Sequence, residues 1–496
     1  MKRLISFIIP VLFLTQLNAQ DAVDALRYSQ TYPGGTARSL SMGGAFGSLG
    51  ADIYSAIHNP AGLGMYRGSE LTITPELQYI SVNSRYYGNK VSDSKYNFNL
   101  SNLGYVRSFQ NNESGFIGAT IALGFNRINN FHSNIRTSGI NYYNSMAHSI
   151  TESANNNGNP VGIDDLLPFD EWLFYDGELI YDQADGFYAT EPDIDYSLDS
   201  TGSGIRQIQS IESRGRMNEW FFSAGFNYNH VLYFGGTFSL INAVYKEDIG
   251  YNEFDGEDSQ YEFYYFNNTM DTKGLGVTGK FGVLVRPLHF FRIGLAYHLP
   301  VSYSFTMEYN AFLESRYTNP QWITIRPQDS NGNYIDYGES KFRLVTPGKA
   351  IGSVSFTIGD FATVAADVEY MDYTKTRLKG TYVTFPENAN DVIKNIYKGA
   401  WNLKTGAEIR FGKLYLRGGF DYLQSPYAKG EINEKADQYI ITSGLGLREK
   451  NFFIDFAYAY HFYDERAILY AYQTRFNTMN YDVARSRFMM TFGVRF

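Results

Sequence analysis

Apolar and polar residues alternate one by one along segment after segment of this chain, and aromatic rings gather on the apolar side. Trp220, Phe222, Ala224, Phe226 and Tyr228 oppose Phe221, Ser223, Gly225, Asn227 and Asn229. Leu71, Ile73, Leu77 and Tyr79 oppose Thr72, Thr74, Glu76 and Gln78, and Ile117, Ala119, Ile121, Leu123 and Phe125 oppose a small or polar set. Trp401 to Phe411, Leu414 to Tyr422 and Phe452 to Tyr460 repeat the pattern, with Lys404, Glu408, Arg410, Arg417, Asp421 and Asp455 on the polar side. A period of two is the signature of a strand with two different environments.

A soluble sandwich gives the same alternation with its apolar face inward, so connection lengths decide. About 14 strands can be counted, with tight connections near Asn111, Asn229, Pro287, Gly359, Gly412 and Lys450 and longer polar ones between them. Short turns on one side and long loops on the other define a transmembrane barrel of antiparallel strands. Tyr and Phe, 42 and 38 residues, bring the aromatic content to 17%, which suits strands and bilayer interfaces. After the first 20 residues no apolar run approaches the 18 or so residues of a membrane helix. The fold class expected is all-β, an outer-membrane barrel. Phe488, Met490, Phe492, Val494 and Phe496 alternate to the last residue, a strand end suited to barrel-assembly machinery.

The N-terminus reads as an export signal over residues 1–19: Lys2 and Arg3, an apolar run from Leu4 to Leu14, and Leu17-Asn18-Ala19 as the cleavage site. Its removal makes the formal charge of -9 more negative by two. An acidic chain is a poor partner for nucleic acid. There is no Cys, hence no disulfide framework or thiolate site.

Residues 20–68 break the alternation. The run from Gly34 to Gly64 is rich in Gly, Ala and Ser, and reads as a plug or hatch inside the barrel of residues 69–496. Gly43 to Gly50 invites a dinucleotide reading but lacks a strand before it and a helix after it. The longest insertion, about 129–215, contains a helix-like segment from Ile163 to Tyr175, where Leu167, Phe169, Trp172 and Phe174 form either a docking site for a hydrophobic ligand or packing that holds the loop over the barrel mouth.

The seven His residues show no metal spacing, the acidic runs Asp255 to Asp258 and Asp329 to Asn333 do not complete a calcium loop, and no Ser, His and acid set marks a hydrolase. No metal, no cofactor and no enzyme activity are expected. Lumenal Lys404, Arg410 and Arg417 are candidates for a ligand head group, against a mutually neutralising wall network.

Gly35-Thr36-Ala37-Arg38, Met42-Gly43-Gly44-Ala45 and His58-Asn59-Pro60-Ala61-Gly62-Leu63 resemble the FadL family of outer-membrane transporters, with Asn59, Pro60 and Ala61 matching its hatch motif. Leu344 to Lys349, Ala366 to Tyr370, Leu416 to Tyr422 and Ile454 to Tyr460 continue the likeness in order. The resemblance implies a 14-stranded barrel, a hatch in the lumen and lateral release near the third strand, where Gly118 and Gly124 are candidates for weakening the wall. It also implies a hydrophobic ligand, by default a long-chain fatty acid, otherwise an aromatic hydrocarbon or hemin, released into outer-membrane lipid. The alternative is a FadL-like scaffold or protein-secretion partner that does not transport.

Overall fold

A computed structural model describes residues 16–111, 115–192, 194, 198, 204–254, 261–317, 322–329, 332–380 and 389–496. Apart from a short two-stranded ribbon of Ile180–Asp182 with Tyr188–Thr190, fourteen strands form one closed antiparallel wall. They are β1 (Glu70–Tyr86), β2 (Asn89–Gln110), β3 (Phe116–Asn130, resumed at Ser133–Asn141), β4 (Ile205–Tyr228), β5 (Leu232–Phe254) and β6 (Tyr261–Leu288). Next come β7 (Phe291–His298, resumed at Ser302–Tyr317), β8 (Gly338–Val345 and Lys349–Ile358), β9 (Ala362–Asp372, resumed at Arg377–Gly380) and β10 (Gly399–Phe411). The circuit ends with β11 (Leu414–Leu423), β12 (Gln438–Arg448), β13 (Phe452–Tyr472) and β14 (Arg475–Arg495). β14 closes on β1, from Glu70↔Arg495 to Arg85↔Asn480. The breaks in β7 and β8 fall at Leu299-Pro300-Val301 and Thr346-Pro347-Gly348, where proline removes a ladder donor.

The wall is inside out relative to a soluble sandwich. Phe98, Trp220, Phe222, Phe281, Leu295, Trp401 and Phe488 are exposed, Phe98 at 73%, while Thr72, Thr74, Glu76 and Gln78 are buried. An apolar belt facing outward is stable only against hydrocarbon. No helix among the described residues is long and apolar enough to cross a membrane. The six turns expected to be tight from the sequence all fall at one end, from the β2–β3 connection at Asn111 to the β12–β13 connection at Lys450. Two hairpins at the other end are also tight, through Tyr87-Gly88 and Gln473-Thr474, but they lie at the tips of long strands.

β4, β5, β6, β13 and β14 run for 24, 23, 28, 21 and 21 residues, about twice what a membrane crossing needs. The surplus projects beyond the bilayer as a collar with apolar residues facing inward. There Tyr251, Tyr264, Phe266, Leu313, Tyr470 and Tyr481 pack around the insertion between β3 and β4, whose helices are α4 (Met146–Ala154) and α5 (Glu171–Asp176). The segment read as one helix from Ile163 to Tyr175 is a single turn at Ile163–Asp165 and then α5, because Pro168 interrupts it.

Inside the wall, α1 (Gln16–Arg27) lies against α6 (Ala389–Ile396) in a core with Ile241, Tyr303, Phe305 and Leu344. Of the expected leader, residues 1–15 lie outside the described residues and residues 16–19 form the first turn of α1. Below α1 the hatch coils through α2 (Ala37–Ser41), α3 (Ser55–His58) and a 3-10 turn at Pro60–Met65.

Candidate functional site

The hatch is held by its own caps and by the wall. Thr36 accepts from Ser39 N at the start of α2, and its hydroxyl donates to Asp52 Oδ1 at 3.0 Å. Gly43 and Gly44, at φ 62° and 73°, turn the chain where a side chain would strain it. Asn59 accepts from Ala61 N, caps the 3-10 turn that Pro60 starts, and donates through Nδ2 to Gly47 O at 2.6 Å. Asn59, Pro60 and Ala61 therefore set the hatch's shape. On the wall, Asp367 of β9 accepts the backbone N–H groups of Phe46 and Gly47 at 2.9 Å each, and His58 Nε2 donates to it at 2.7 Å. Gly282 and Gly406 are glycines because a Cβ would collide with Asn59 and with the Met42 backbone. Lumenal strand glycines are thus the hatch's footprint, a signal that period-two reading passes over.

On the loop side of the hatch lies a cavity of about 100 Å³, lined by Tyr28, Tyr32, Tyr54, Ile57, Ile128, Met217, Ile241, Tyr303 and Met371 with Lys280, Lys349 and Lys404. Lys280 pairs with Glu219; Lys404 lies 2.7 Å and Lys349 3.8 Å from the one carboxylate of Glu369. Buried Asp421 stands across the strand pair from Lys404. Cations here are matched by carboxylates, as burial demands. Burial also pushes the His58 imidazole below its ordinary value, so the ring is neutral at pH 7.

Of the three cations picked from sequence, Lys404 lines this cavity but is paired, and Arg417, with a side chain 0% exposed, is locked between Glu408 and Asp455 at 2.7 Å each. Arg410 lies on the turn side of the hatch, 3.0 Å from Glu408. The structure does not bring the three to one point. Lys280, Lys349, Glu219 and Glu369 are the residues that sequence reasoning passed over; their lumenal positions were readable, their convergence was not.

The wall beside this cavity is incomplete. The β2–β3 ladder runs from Gln110↔Gly118 to Asn102↔Asn126 and stops there among the described residues, although both strands continue. Above that point side chains bridge the strands: Asn130 Nδ2 donates to Asn97 Oδ1 at 2.7 Å and Lys95 Nζ to Asn134 Oδ1 at 2.9 Å. Asn99 Oδ1, both amide atoms of Asn102 and Asn126 Oδ1 are buried without a protein partner. Asn126 and Ile128 also line the cavity, so its wall and the gap meet. Gly118 and Gly124 sit lower, paired on both sides, where a Cβ would strike the β2 backbone.

Phe174 is fully buried against Tyr264 and Phe266, Phe169 packs edge-on to Tyr309, and Leu167 and Trp172 are half-buried. Phe174 is a core residue of the cap, packed against the collar. Ser145 caps α4, and its hydroxyl donates to Glu253 of the collar at 2.5 Å. Asp255 to Asp258 lie outside the described residues, as do residues 330 and 331. No group of three metal-binding side chains occurs among the described residues.

Together these features define a 14-stranded β-barrel of the outer-membrane type, closed inside by an N-terminal hatch. No protein-family model and no curated protein matches the sequence. In fold the chain is similar to the toluene transporter TodX of Pseudomonas putida, with a TM-score of 0.55 and 12% identity over 94% of this chain and 99% of the other. It is equally similar to a Pseudomonas aeruginosa FadL homologue, TM-score 0.56 and 13% identity over 94% and 99%. The Ralstonia pickettii toluene transporter TbuX follows, at 0.50 and 15% over 94% and 99%. The shared property is the FadL-type barrel fold.

Proposed function

We propose that this protein is a passive outer-membrane channel for hydrophobic small molecules, which move from the loop-side cavity through the gap between β2 and β3 into the membrane. The observation that carries the reading is the ladder that ends at Asn102↔Asn126 beside a cavity walled by Asn126 and Ile128. A closed ladder leaves no lateral exit; unpaired strand segments bridged by side chains do. The cavity's 100 Å³ is below the roughly 300 Å³ at which ligand pockets begin, so this conformation is the closed one and passage requires the hatch to shift. Apolar transfer into lipid supplies the driving force without an energy source.

The lining favours an uncharged ligand over a fatty acid, because Lys280, Lys349 and Lys404 already face Glu219 and Glu369. Toluene is the substrate named for two of the similar structures. The test is uptake into vesicles containing the purified protein, of labelled toluene beside labelled oleate. Saturable entry of toluene supports the channel with an aromatic ligand; entry of oleate alone returns the ligand to the fatty-acid class; entry of neither defeats transport.

The scaffold reading draws support from one observation: the lumen is closed twice, by the hatch and by the cap of α4 and α5. Stable partner proteins on extraction from native membranes, with no uptake of either ligand, would favour it.

A further inference from the structure

A second cavity, of about 310 Å³, lies on the turn side of the hatch, and it is lined by arginines. Arg286 and Arg292 flank the β6–β7 turn, Arg410 and Arg448 stand beside two other turns, and Arg38 and Arg67 come from the hatch segment. Glu408 is the single carboxylate in the lining and is already shared by Arg38, Arg410 and Arg417. Arg448 shares Asp455 with Arg417, and Arg495 holds Glu70. Among the described residues Arg67, Arg286 and Arg292 have no carboxylate within ion-pair distance, and Nε of Arg286, Arg292 and Arg448 is buried without an acceptor.

We infer that this cavity binds an oxyanion, a phosphate or carboxylate group entering from the turn side, and that the anion fastens the hatch to the wall. Guanidinium forks match such groups in a bidentate fashion, and half-buried guanidiniums without counterions repel one another until an anion joins them. The guanidinium N–H groups that line the cavity supply the donors. Arg38 and Arg67 move with the hatch, whereas Arg286 and Arg292 belong to the wall, so one anion contacted by both sets is a clamp. The volume suits a small anion or the head group of an amphiphile. Transport by the other cavity is not assumed.

The test uses the full-length folded protein in neutral detergent, titrated calorimetrically with inorganic phosphate and with octyl phosphate at ionic strength held constant with sodium chloride. One saturable site is expected, weakened tenfold or more by the double substitution R286Q/R292Q and unchanged by R85Q, an exposed arginine at the far end paired with Asp482. Octyl phosphate binding at least tenfold tighter than phosphate identifies an amphiphile's head group; equal affinity identifies a free anion. Absence of saturable binding, or binding indifferent to R286Q/R292Q, overturns the site. Should the double variant fail to fold, phenylglyoxal labelling of the unmodified protein decides: phosphate protects Arg286 and Arg292 but not Arg85, and equal labelling with and without phosphate overturns the inference.

Discussion

His58 Nε2 lies 2.7 Å from Asp367 Oδ2, joining the end of α3 in the hatch to the middle of β9 in the wall. The same carboxylate oxygen holds two hatch backbone N–H groups, so one side chain anchors two separate turns of the hatch. Hydrogen bonds to a charged acceptor contribute about 1.5–3 kcal/mol each. Replacing Asp367 by Asn is expected to loosen the hatch by about 3 kcal/mol while the barrel stays folded. Raised single-channel conductance with unchanged heat-modifiable gel mobility would show it, and conductance equal to wild type would refute it.

The His58 contact also sets a pH dependence. Burial lowers the imidazole's pKa in the seated hatch, although Asp367 and Glu369 face it and oppose that shift, and Lys404 reinforces it. A lowered folded pKa means that the contribution is fully present above the ordinary value near 6.5 and is lost as pH falls below it. Solute leakage should therefore rise between pH 7.5 and 5, and His58→Gln, which keeps a neutral donor, should flatten that rise. Leakage independent of pH in the unaltered protein would count against it.

Deleting residues 39–64 removes α3, most of α2 and most of the 3-10 turn but no wall strand. The expected product is a folded barrel that leaks small solutes. An unfolded or fully sealed product would mean that these residues do not plug an otherwise independent wall.

Lateral exit depends on the unpaired stretch above Asn102. Asn97→Cys and Asn130→Cys joined by a short thiol cross-linker should hold the two strands together and reduce toluene uptake at least tenfold, reversed on cleavage of the linker. The same linker joining cysteines on an intact ladder, at Ser223 and Thr237, should leave uptake alone. If both cross-links act alike, the gap is not the route.

Phe174 is a core residue of the cap, and Phe→Ala in a packed core costs about 3–5 kcal/mol. F174A should speed amide hydrogen exchange in residues 146–176 by a hundredfold or more without altering exchange in β10 to β12. Uniform exchange changes would show that cap and wall unfold together.

The wall was readable because each strand reports its two environments residue by residue. Trp220, Trp401 and Phe488 lie outward as their alternation requires, and the six turns signalled by Asn111, Asn229, Pro287, Gly359, Gly412 and Lys450 fall between consecutive strands at one end of the wall, whereas the tight hairpins at Tyr87-Gly88 and Gln473-Thr474 went unsignalled. The small-residue run from Gly34 to Gly64 was readable as a plug for a similar reason, since few wall-building residues interrupt it. The cap was not readable: Phe174 in α5 meets Tyr264 and Phe266 of β6 about 90 residues later, and nothing local distinguishes such a partner from solvent.

Sequence by itself determined the strands, their outward faces and the segment inside them, because strand period and turn chemistry act over a few neighbouring residues. Tertiary structure decided where the β2–β3 ladder ends, which lysines share Glu369, and that Arg38, Arg286, Arg292 and Arg448 surround one cavity. Those depend on the register of closure and on contacts between residues hundreds of positions apart, which local patterns do not encode.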